Sequence, residues 1–260
     1  MKIAALFRYP VKSLQGERLE AATIGALGIE GDRQWAILDT DTGKTLTARR
    51  VPELLLAYAR RLGPADVEVE FPDGRVMTEP DELSAALSAW LGRPVAFVRA
   101  GPDRHGTYET VVDFEDEAGS EWTAWDGPVG TFHDSARTQV SMMSTATIGA
   151  WDLRRFRPNV LLAGAGEDAL VGHAVALGGP DGTGPGGTGP GGSGASRGAV
   201  LDVVKQIGRC VVTTRPQPGG IDRDLDVLRT VNRARDGFLG IGALVRTPGA
   251  VAVGDELRVL

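Results

Sequence analysis

The chain has 260 residues, and its 42% hydrophobic and 24% charged content is ordinary for a globular protein with a sizeable core. The formal net charge of −6 argues against a nucleic-acid binder, which usually carries a basic face. No apolar run approaches the roughly 18 residues that a membrane span needs, so we expect no membrane segment.

The amino terminus and the cysteine content predict the compartment. The first residues resemble a short strand, because they lack the long apolar core and the cleavage site of a signal peptide. Cys210 is the one cysteine of the chain, so it cannot form an internal disulfide and fits a reducing compartment. We therefore expect a cytoplasmic protein.

The first hundred residues alternate short strand patterns with two helical patterns. Turn sequences such as Asp41-Thr42-Gly43-Lys44 predict hairpins, and a proline in the first turn opens each helix. The predicted strands span 3–9, 19–24, 34–39, 45–48, 67–71, 75–78 and 95–99, and the longer helix spans 80–90. This mixture predicts an α+β fold with an N-terminal mixed α/β domain.

The second half consists mostly of short strands, which predicts a closed β-barrel. Strands are expected at 138–143, 160–163, 200–207, 210–214 and 238–246, with two further short strands within 251–259, and helices are expected to begin near 144 and 224. The acidic and aromatic stretch 101–130 is interpreted as an irregular connector. The predicted organisation is mostly β, with an N-terminal domain over 1–120 and a barrel domain over 121–260.

A glycine-rich tract of low complexity occupies 178–198. Such a composition cannot bury enough apolar surface to order itself, so we predict a flexible insertion between two strands of the barrel domain. A linker between two domains is the alternative, but the strand patterns on either side are too few to fold separately. Deleting most of 182–194 is expected to change thermal stability little.

Three polar groups are candidates for chemistry. Arg157 and Asn159 precede a strand pattern, and on an extended strand both would point to one face. Cys210 begins an apolar β-branched run beside Arg209. A guanidinium fork, an amide and a thiol could together hold an anionic cofactor that carries a soft metal. Alternatively, Cys210 is a small buried hydrophobe and Arg157 only pairs with a carboxylate.

Five motifs then occur in a recognisable order along nearly the whole chain: Tyr9-Pro10-Val11-Lys12-Ser13, Gly31-Asp32-Arg33-Gln34-Trp35, Phe156-Arg157-Pro158-Asn159, Arg209-Cys210-Val211-Val212-Thr213-Thr214 and Pro248-Gly249 with Val253-Gly254-Asp255. Together they resemble the MOSC proteins, named after the C-terminal domain of molybdenum cofactor sulfurases. They are also similar to the mitochondrial amidoxime-reducing component and its bacterial relatives. The resemblance implies a MOSC-type β-barrel preceded by a MOSC-associated domain.

The resemblance also implies a molybdenum cofactor, bound between the two domains with the Cys210 thiolate as metal ligand and catalytic residue. A thiolate is a soft ligand that suits such a metal. The residues at matching positions for binding the pterin and its phosphate are Lys12, Ser13, Arg33, Arg157, Asn159 and Arg209. Thr145 and Thr147 lie near a helix N-terminus, where backbone N–H groups could receive a phosphate.

The activity implied by the resemblance is reduction of small N-hydroxylated or N-oxygenated molecules by a molybdenum-dependent oxidoreductase. The chain ends at Leu260 without a ferredoxin-like domain, so electrons are expected from a separate ferredoxin- or flavin-type reductase. The alternative is a carrier of molybdenum cofactor or sulfur without turnover, and a domain that has lost the cofactor is a third option. Arg215-Pro216 replaces the Asp-Pro common in the family, which leaves the substrate class open.

Overall fold

A computed structural model of the chain describes residues 1–178 and 198–260. The predicted glycine-rich insertion, apart from its end residues, lies outside the described residues, and so does the proposed deletion of 182–194. None of the helices in the described ranges is long and apolar enough to cross a membrane.

Strands dominate the described residues, as the sequence predicted. They are labelled β1 to β18 in chain order: Lys2–Arg8, Glu17–Leu19, Ala21–Gly25, Gly28–Ile29, Trp35–Asp39, Tyr58–Arg61, Val67–Glu70, Val76–Met77, Val95–Arg99, Thr107–Val111, Trp122–Asp126, Val140–Ser144, Val160–Ala163, Ala174–Leu177, Ala199–Gly208, Phe238–Thr247, Gly249–Ala252 and Leu257–Val259. The α-helices α1 to α3 are Pro80–Leu91, Thr145–Ile148 and Leu225–Arg235. Short 3₁₀ helices span Pro52–Leu56, Leu153–Arg155, Glu167–Leu170 and Val211–Thr214.

The largest sheet has eight strands in the order β18-β14-β15-β16-β12-β13-β1-β2. It curls into a half-barrel around a core that includes Leu6, Met142, Val160, Leu201 and Ile241. Backbone hydrogen bonds also join the first strand to the residues around β18, at 2.8 Å from the Ile3 N–H to the Asp255 carbonyl. The predicted MOSC-type barrel architecture is confirmed.

A second core is formed only by residues between 11 and 97, under α1 and the sheets of β5 with β9 and of β6 to β8. Helix α1 begins at Pro80, where a missing N–H costs nothing, and ends at Gly92 in the left-handed region. The N-terminal mixed α/β domain is therefore present. The boundary at residue 120 stays a prediction, since β1 pairs with β13 and β3 pairs with β17 across it.

The stretch 101–130, predicted to be an irregular connector, contains an antiparallel hairpin of β10 and β11. Its register runs from Thr107 opposite Asp126 to Val111 opposite Trp122. The tyrosine, tryptophans, valines and threonines in it favour strands, but the surrounding acidic residues obscured this pattern.

The residues after Cys210 form a 3₁₀ helix where a strand was predicted, so that interpretation was wrong. Both threonine hydroxyls donate to backbone carbonyls three residues earlier, from Thr213 to Cys210 at 3.0 Å and from Thr214 to Val211 at 2.8 Å. These local hydrogen bonds override the β-propensity of the run. The predicted return strand 45–48 is likewise reduced to one bridge between Leu38 and Thr45.

A cationic cavity that contains the single cysteine

A cavity of about 600 Å³ lies between the N-terminal residues and the barrel. Its lining includes seven cationic side chains and one carboxylate, Asp134. The cations are Lys12, Arg33, Arg49, Arg155, Arg157, Lys205 and Arg209. The whole chain is anionic, with a net charge of −6. The concentration of positive charge in one concave site is therefore a local feature, and it favours an anionic ligand.

Two arginines and a buried tyrosine form one wall of the site. The guanidinium carbons of Arg33 and Arg157 lie 4.5 and 4.3 Å from the ring centroid of Tyr9. Arg33 pairs with Asp32, whereas Nη1 of Arg157 is buried and has no hydrogen-bond partner among the described residues. Burial, and then the charge of Arg33, lower the pKa of Arg157 to about 10. An anion bound here would supply Arg157 with the charge interaction that it loses by burial.

Backbone strain marks the same wall. Four non-glycine residues of the described chain have left-handed φ angles, and three of them line the cavity: Ser13 at 71°, Arg33 at 49° and Arg157 at 53°. Such conformations cost about 1–3 kcal/mol each and persist where surrounding structure imposes them, often at functional sites. The Ser13 hydroxyl accepts a hydrogen bond from the Ala48 N–H at 3.0 Å, which fixes this turn.

A second group surrounds Asp134. Lys12 Nζ donates to the Phe132 carbonyl at 2.8 Å and to Asp134 at 3.1 Å. Both terminal nitrogens of Arg49 donate to the same Asp134 oxygen at 3.1 Å. Burial lowers the pKa of Lys12 to about 8 against the opposing charge of Asp134. The Asp134 side chain is 54% exposed, and the charges and hydrogen bonds of Arg49 and Lys12 hold the pKa of its carboxyl well below its usual range.

Cys210 lies in the cavity lining, half-buried, directly before the 3₁₀ helix. Its neighbour Arg209 donates from Nε to the Leu239 carbonyl at 2.7 Å and from Nη1 to the Phe156 carbonyl at 3.0 Å. Burial lowers the pKa of Arg209 to about 10, and a negative charge on Cys210 would act in the opposite direction. Burial alone would lower the pKa of Arg49, but the charge of Asp134 raises it, and a negative charge on Cys210 would add to that rise. The thiol is therefore flanked by two guanidinium groups.

Asn159 has a different role from the one its spacing predicted. Because Arg157 is left-handed, the two residues do not share the face of an extended strand, and that prediction was wrong. The Asn159 Oδ1 accepts from the N–H and hydroxyl of Ser141 at 3.1 and 2.9 Å, and its Nδ2 donates to the Phe7 carbonyl at 3.3 Å. The side chain thus ties three strand ends together at the edge of the cavity.

Thr145 and Thr147 are not among the residues that line the cavity. Helix α2 has only four residues there, and its first N–H groups are engaged locally, with the Thr147 N–H donating to Ser144 Oγ at 3.1 Å. The Thr145 hydroxyl exchanges hydrogen bonds with the backbone of Gly164. The structure therefore separates these two residues from the other predicted site residues, all of which line the cavity.

Sequence reasoning missed several lining residues, among them Arg49, Arg155 and Trp125. His133 and Asp134 also line the cavity, where His133 is buried and Asp134 joins two cations. Burial lowers the pKa of His133 to about 4, so the imidazole is neutral at neutral pH. Two sequence features could have drawn attention to these positions. One is the pair Arg49-Arg50 after a predicted strand, and the other is His133 beside Asp134.

Comparisons with known proteins agree with the sequence motifs. Residues 1–93 match the MOSC N-terminal beta barrel domain, and residues 130–258 match the MOSC domain. No curated protein matches the chain.

Two solved structures resemble the fold at low identity. The YuaD protein from Bacillus subtilis is 13% identical, with a TM-score of 0.40 over 99% of this chain and 94% of that chain. YiiM from Geobacillus stearothermophilus is 13% identical, with a TM-score of 0.34 over 59% of this chain and 72% of that chain. The two domain matches together cover most of the sequence. The chain therefore belongs to the MOSC family, which is associated with molybdenum-cofactor sulfurase-like proteins.

Proposed function

We propose that the cavity binds a molybdenum cofactor and that the protein reduces small N-hydroxylated or N-oxygenated molecules. The observation that carries this proposal is the convergence of seven cationic side chains and the one cysteine in a single cavity of an anionic chain. Electrons would come from a separate ferredoxin- or flavin-type reductase, and the protein would work in the cytoplasm.

The residues present fit such a group. A molybdopterin carries a phosphate, for which the free Nη1 of Arg157, Arg33 and Lys12 are suitable charge-assisted donors. The Cys210 thiolate is a soft ligand for a metal held by dithiolene sulfurs. When bound, the cofactor would supply the two-electron redox chemistry that N–O reduction requires.

The side chains around Cys210 would orient the ligand and hold protons at defined atoms. Below a pH of about 8, Lys12 keeps its proton on Nζ, and Arg49 keeps its charge throughout. Together they keep Asp134 ionised, so this group presents a fixed pattern of donors and acceptors. The aromatic faces of Trp125 and Phe156 line the remaining wall and would exclude water from part of the site.

The proposal is tested by chemical analysis of purified protein. The chain is expressed in a host that makes the cofactor, and molybdenum and pterin are measured per chain for wild type and Cys210→Ala. Arg75→Ala is the surface control, because Arg75 is half-exposed, lies outside the cavity lining and forms its one ion pair among the described residues with Asp73. Dye-linked reduction of hydroxylamine then measures turnover.

We expect molybdenum and pterin in wild type and in the control, and loss of turnover in Cys210→Ala with the fold retained, because alanine replaces a small side chain. Wild-type protein without molybdenum and pterin would contradict the proposal. Bound cofactor without turnover of any N-oxygenated substrate would favour the carrier function instead.

A further inference from the structure

The β10–β11 hairpin lies between the two family matches, which end at residue 93 and resume at residue 130. Its base is buried: Tyr108 is fully buried and packs edge-to-face on Trp125, with ring centroids 5.6 Å apart. Trp125 lines the cavity and donates from Nε1 to the Asp134 carbonyl at 3.1 Å. The base of the hairpin is therefore a wall of the cavity.

The base is also anchored to the N-terminal domain. Glu109 pairs with Lys44 at 2.8 Å and with Arg50 at 3.5 Å. At the far end of the strand pair, where Val111 lies opposite Trp122, the guanidinium carbon of Arg50 lies 3.8 Å from the ring centroid of Trp122. Burial, aromatic contacts and ion pairs thus hold the two strands of the hairpin in place.

The acidic tip, residues 112–121, is held differently. Val112 is 68% exposed, and two glutamates of the tip form ion pairs with the rest of the molecule. Glu117 accepts a two-pronged fork from Arg215, with one distance of 2.9 Å, and a bond from Arg223 at 3.0 Å. Glu115 accepts from Arg229 Nε at 2.7 Å. We call these five residues the hairpin latch.

All three latch arginines follow Cys210 in the chain. Arg215 also donates to the Arg49 carbonyl, so it connects the tip, the segment after the cysteine and a cation of the cavity. The latch therefore joins the tip to two segments that line the cavity, one through Arg49 and the other through Cys210 and Thr213. Because ion pairs are screened by salt and weakened by neutralisation, the tip is the end that can release while the buried base stays.

We propose that the β10–β11 hairpin is a latched wall that limits by size which molecules reach Cys210, with Glu117 as the positioning residue of the latch. The inference rests on the ion pairs and the cavity wall alone. It does not require that the cavity bind molybdenum, and its test uses protein without cofactor, so the two proposals fail independently.

The sole cysteine makes the test direct, because thiol modification of the chain reports access to one atom. Full-length protein is purified from a host that does not make the cofactor. Its rates of reaction with N-ethylmaleimide and with N-pyrenylmaleimide are compared; the two reagents share the reactive ring and the absence of charge but differ in size. The variants are Glu117→Gln and, as matched control, Glu121→Gln, an exposed glutamate of the same tip without an ion pair among the described residues.

We expect wild type to react with the small reagent and about tenfold more slowly with the large one. Glu117→Gln should raise the rate with the large reagent about tenfold, the factor that loss of a charged hydrogen bond would give, and change the small-reagent rate less than about twofold. Glu121→Gln should change neither rate. Since both reagents meet the same thiol, their ratio is independent of any change in its intrinsic reactivity.

An unchanged ratio in Glu117→Gln, an equal effect of Glu121→Gln, or failure of wild type to react with the small reagent would overturn the proposal. Should Glu117→Gln not fold, wild type is measured as salt rises from about 0.1 M to about 1 M, which shortens the Debye length from about 10 to about 3 Å. The large-reagent rate should then rise relative to the small-reagent rate, and a constant ratio would overturn the inference.

Discussion

Three arginines of the cavity and two of the hairpin latch are held in opposite ways. Arg155 and Arg209 donate to main-chain carbonyls, and Nη1 of Arg157 donates to no described group. Arg215 and Arg223 instead share the carboxylate of Glu117. Carbonyls satisfy N–H groups without cancelling their charge, whereas carboxylates do both. The first set therefore keeps its charge for a ligand, and the second set uses its charge to hold the fold.

The pKa values follow this division. Burial lowers the pKa of Arg157 and of Arg209 to about 10, and neither forms an ion pair with a carboxylate of the described residues that would restore it. A buried cation without an ion-pair partner destabilises the protein while the site is empty. It therefore gains the most interaction energy when an anion binds. The comparison therefore separates variants that should lose ligand from variants that should lose stability.

The largest expected effect is on ligand retention. Arg157→Ala removes the unpartnered guanidinium and should lower molybdenum and pterin per chain at least about tenfold, while Arg157→Lys keeps the charge without the planar fork and should lower them less. Arg223→Ala removes a latch arginine that is 47% exposed and should retain full occupancy. The measurement is cofactor content of proteins prepared identically. Equal occupancy in all of them would remove Arg157 from the ligand site.

The second prediction reverses the pattern for stability. Arg215→Met breaks the fork to Glu117 and the bond to the Arg49 carbonyl, and should cost about 2 kcal/mol of unfolding free energy. Arg157→Met removes a buried charge without a carboxylate partner and should cost less than about 1 kcal/mol. Denaturant unfolding of the cofactor-free chain measures both. If Arg157→Met loses as much as Arg215→Met, the cavity arginine serves the fold.

The third prediction concerns acid, and it follows from His133 beside the cavity cations. Burial lowers its pKa from 6.5 to about 4, and the charges of Arg33 and Lys12 act in the same direction. Between these two values the unfolded chain binds the extra proton, so stability is full above a pH of about 6.5 and falls as pH drops towards about 4.

For one buried imidazole the loss amounts to about 2–3 kcal/mol across that window. His133→Gln should therefore show a flatter decline in unfolding free energy than wild type between the two pH values. The exposed His105, replaced by Gln, is the control for removing an imidazole. Parallel curves for wild type and His133→Gln would show that the buried imidazole does not cause the acid sensitivity.

Local patterns were enough to predict much of the scaffold. The strands β1, β13 and β16, the hairpin of β7 and β8, and helix α3 all lie where alternation, turn residues or helical spacing placed them. Lys12, Arg33, Arg157, Arg209 and Cys210 were also predicted as one site, and the structure brings them to one cavity. Their motifs are short and contiguous, so the family resemblance can be recognised from the sequence and identifies them.

What the sequence concealed depends on contacts between distant residues. Arg49 meets Asp134 across 85 positions, and Glu117 meets Arg215 across 98. Charge alone does not reveal such pairs, because most acidic and basic residues lie on the surface without partners. The prediction of a strand after Cys210 was wrong for another reason. Threonine hydroxyls stabilise a 3₁₀ helix there, in a run with strong β-propensity.

The smallest expected effects belong to the two threonines that the structure places outside the cavity. Thr147 contributes its backbone N–H to Ser144, a bond that alanine retains, so Thr147→Ala should change neither cofactor content nor turnover. Thr145→Ala removes a hydroxyl that both donates to and accepts from Gly164, and should cost about 1 kcal/mol of stability with cofactor content unchanged. Parallel measurements of unfolding and of molybdenum per chain decide this. Loss of molybdenum in either variant would mean that helix α2 contacts the ligand. Its threonines would then belong with the side chains that bind the ligand and not with those that only stabilise the fold.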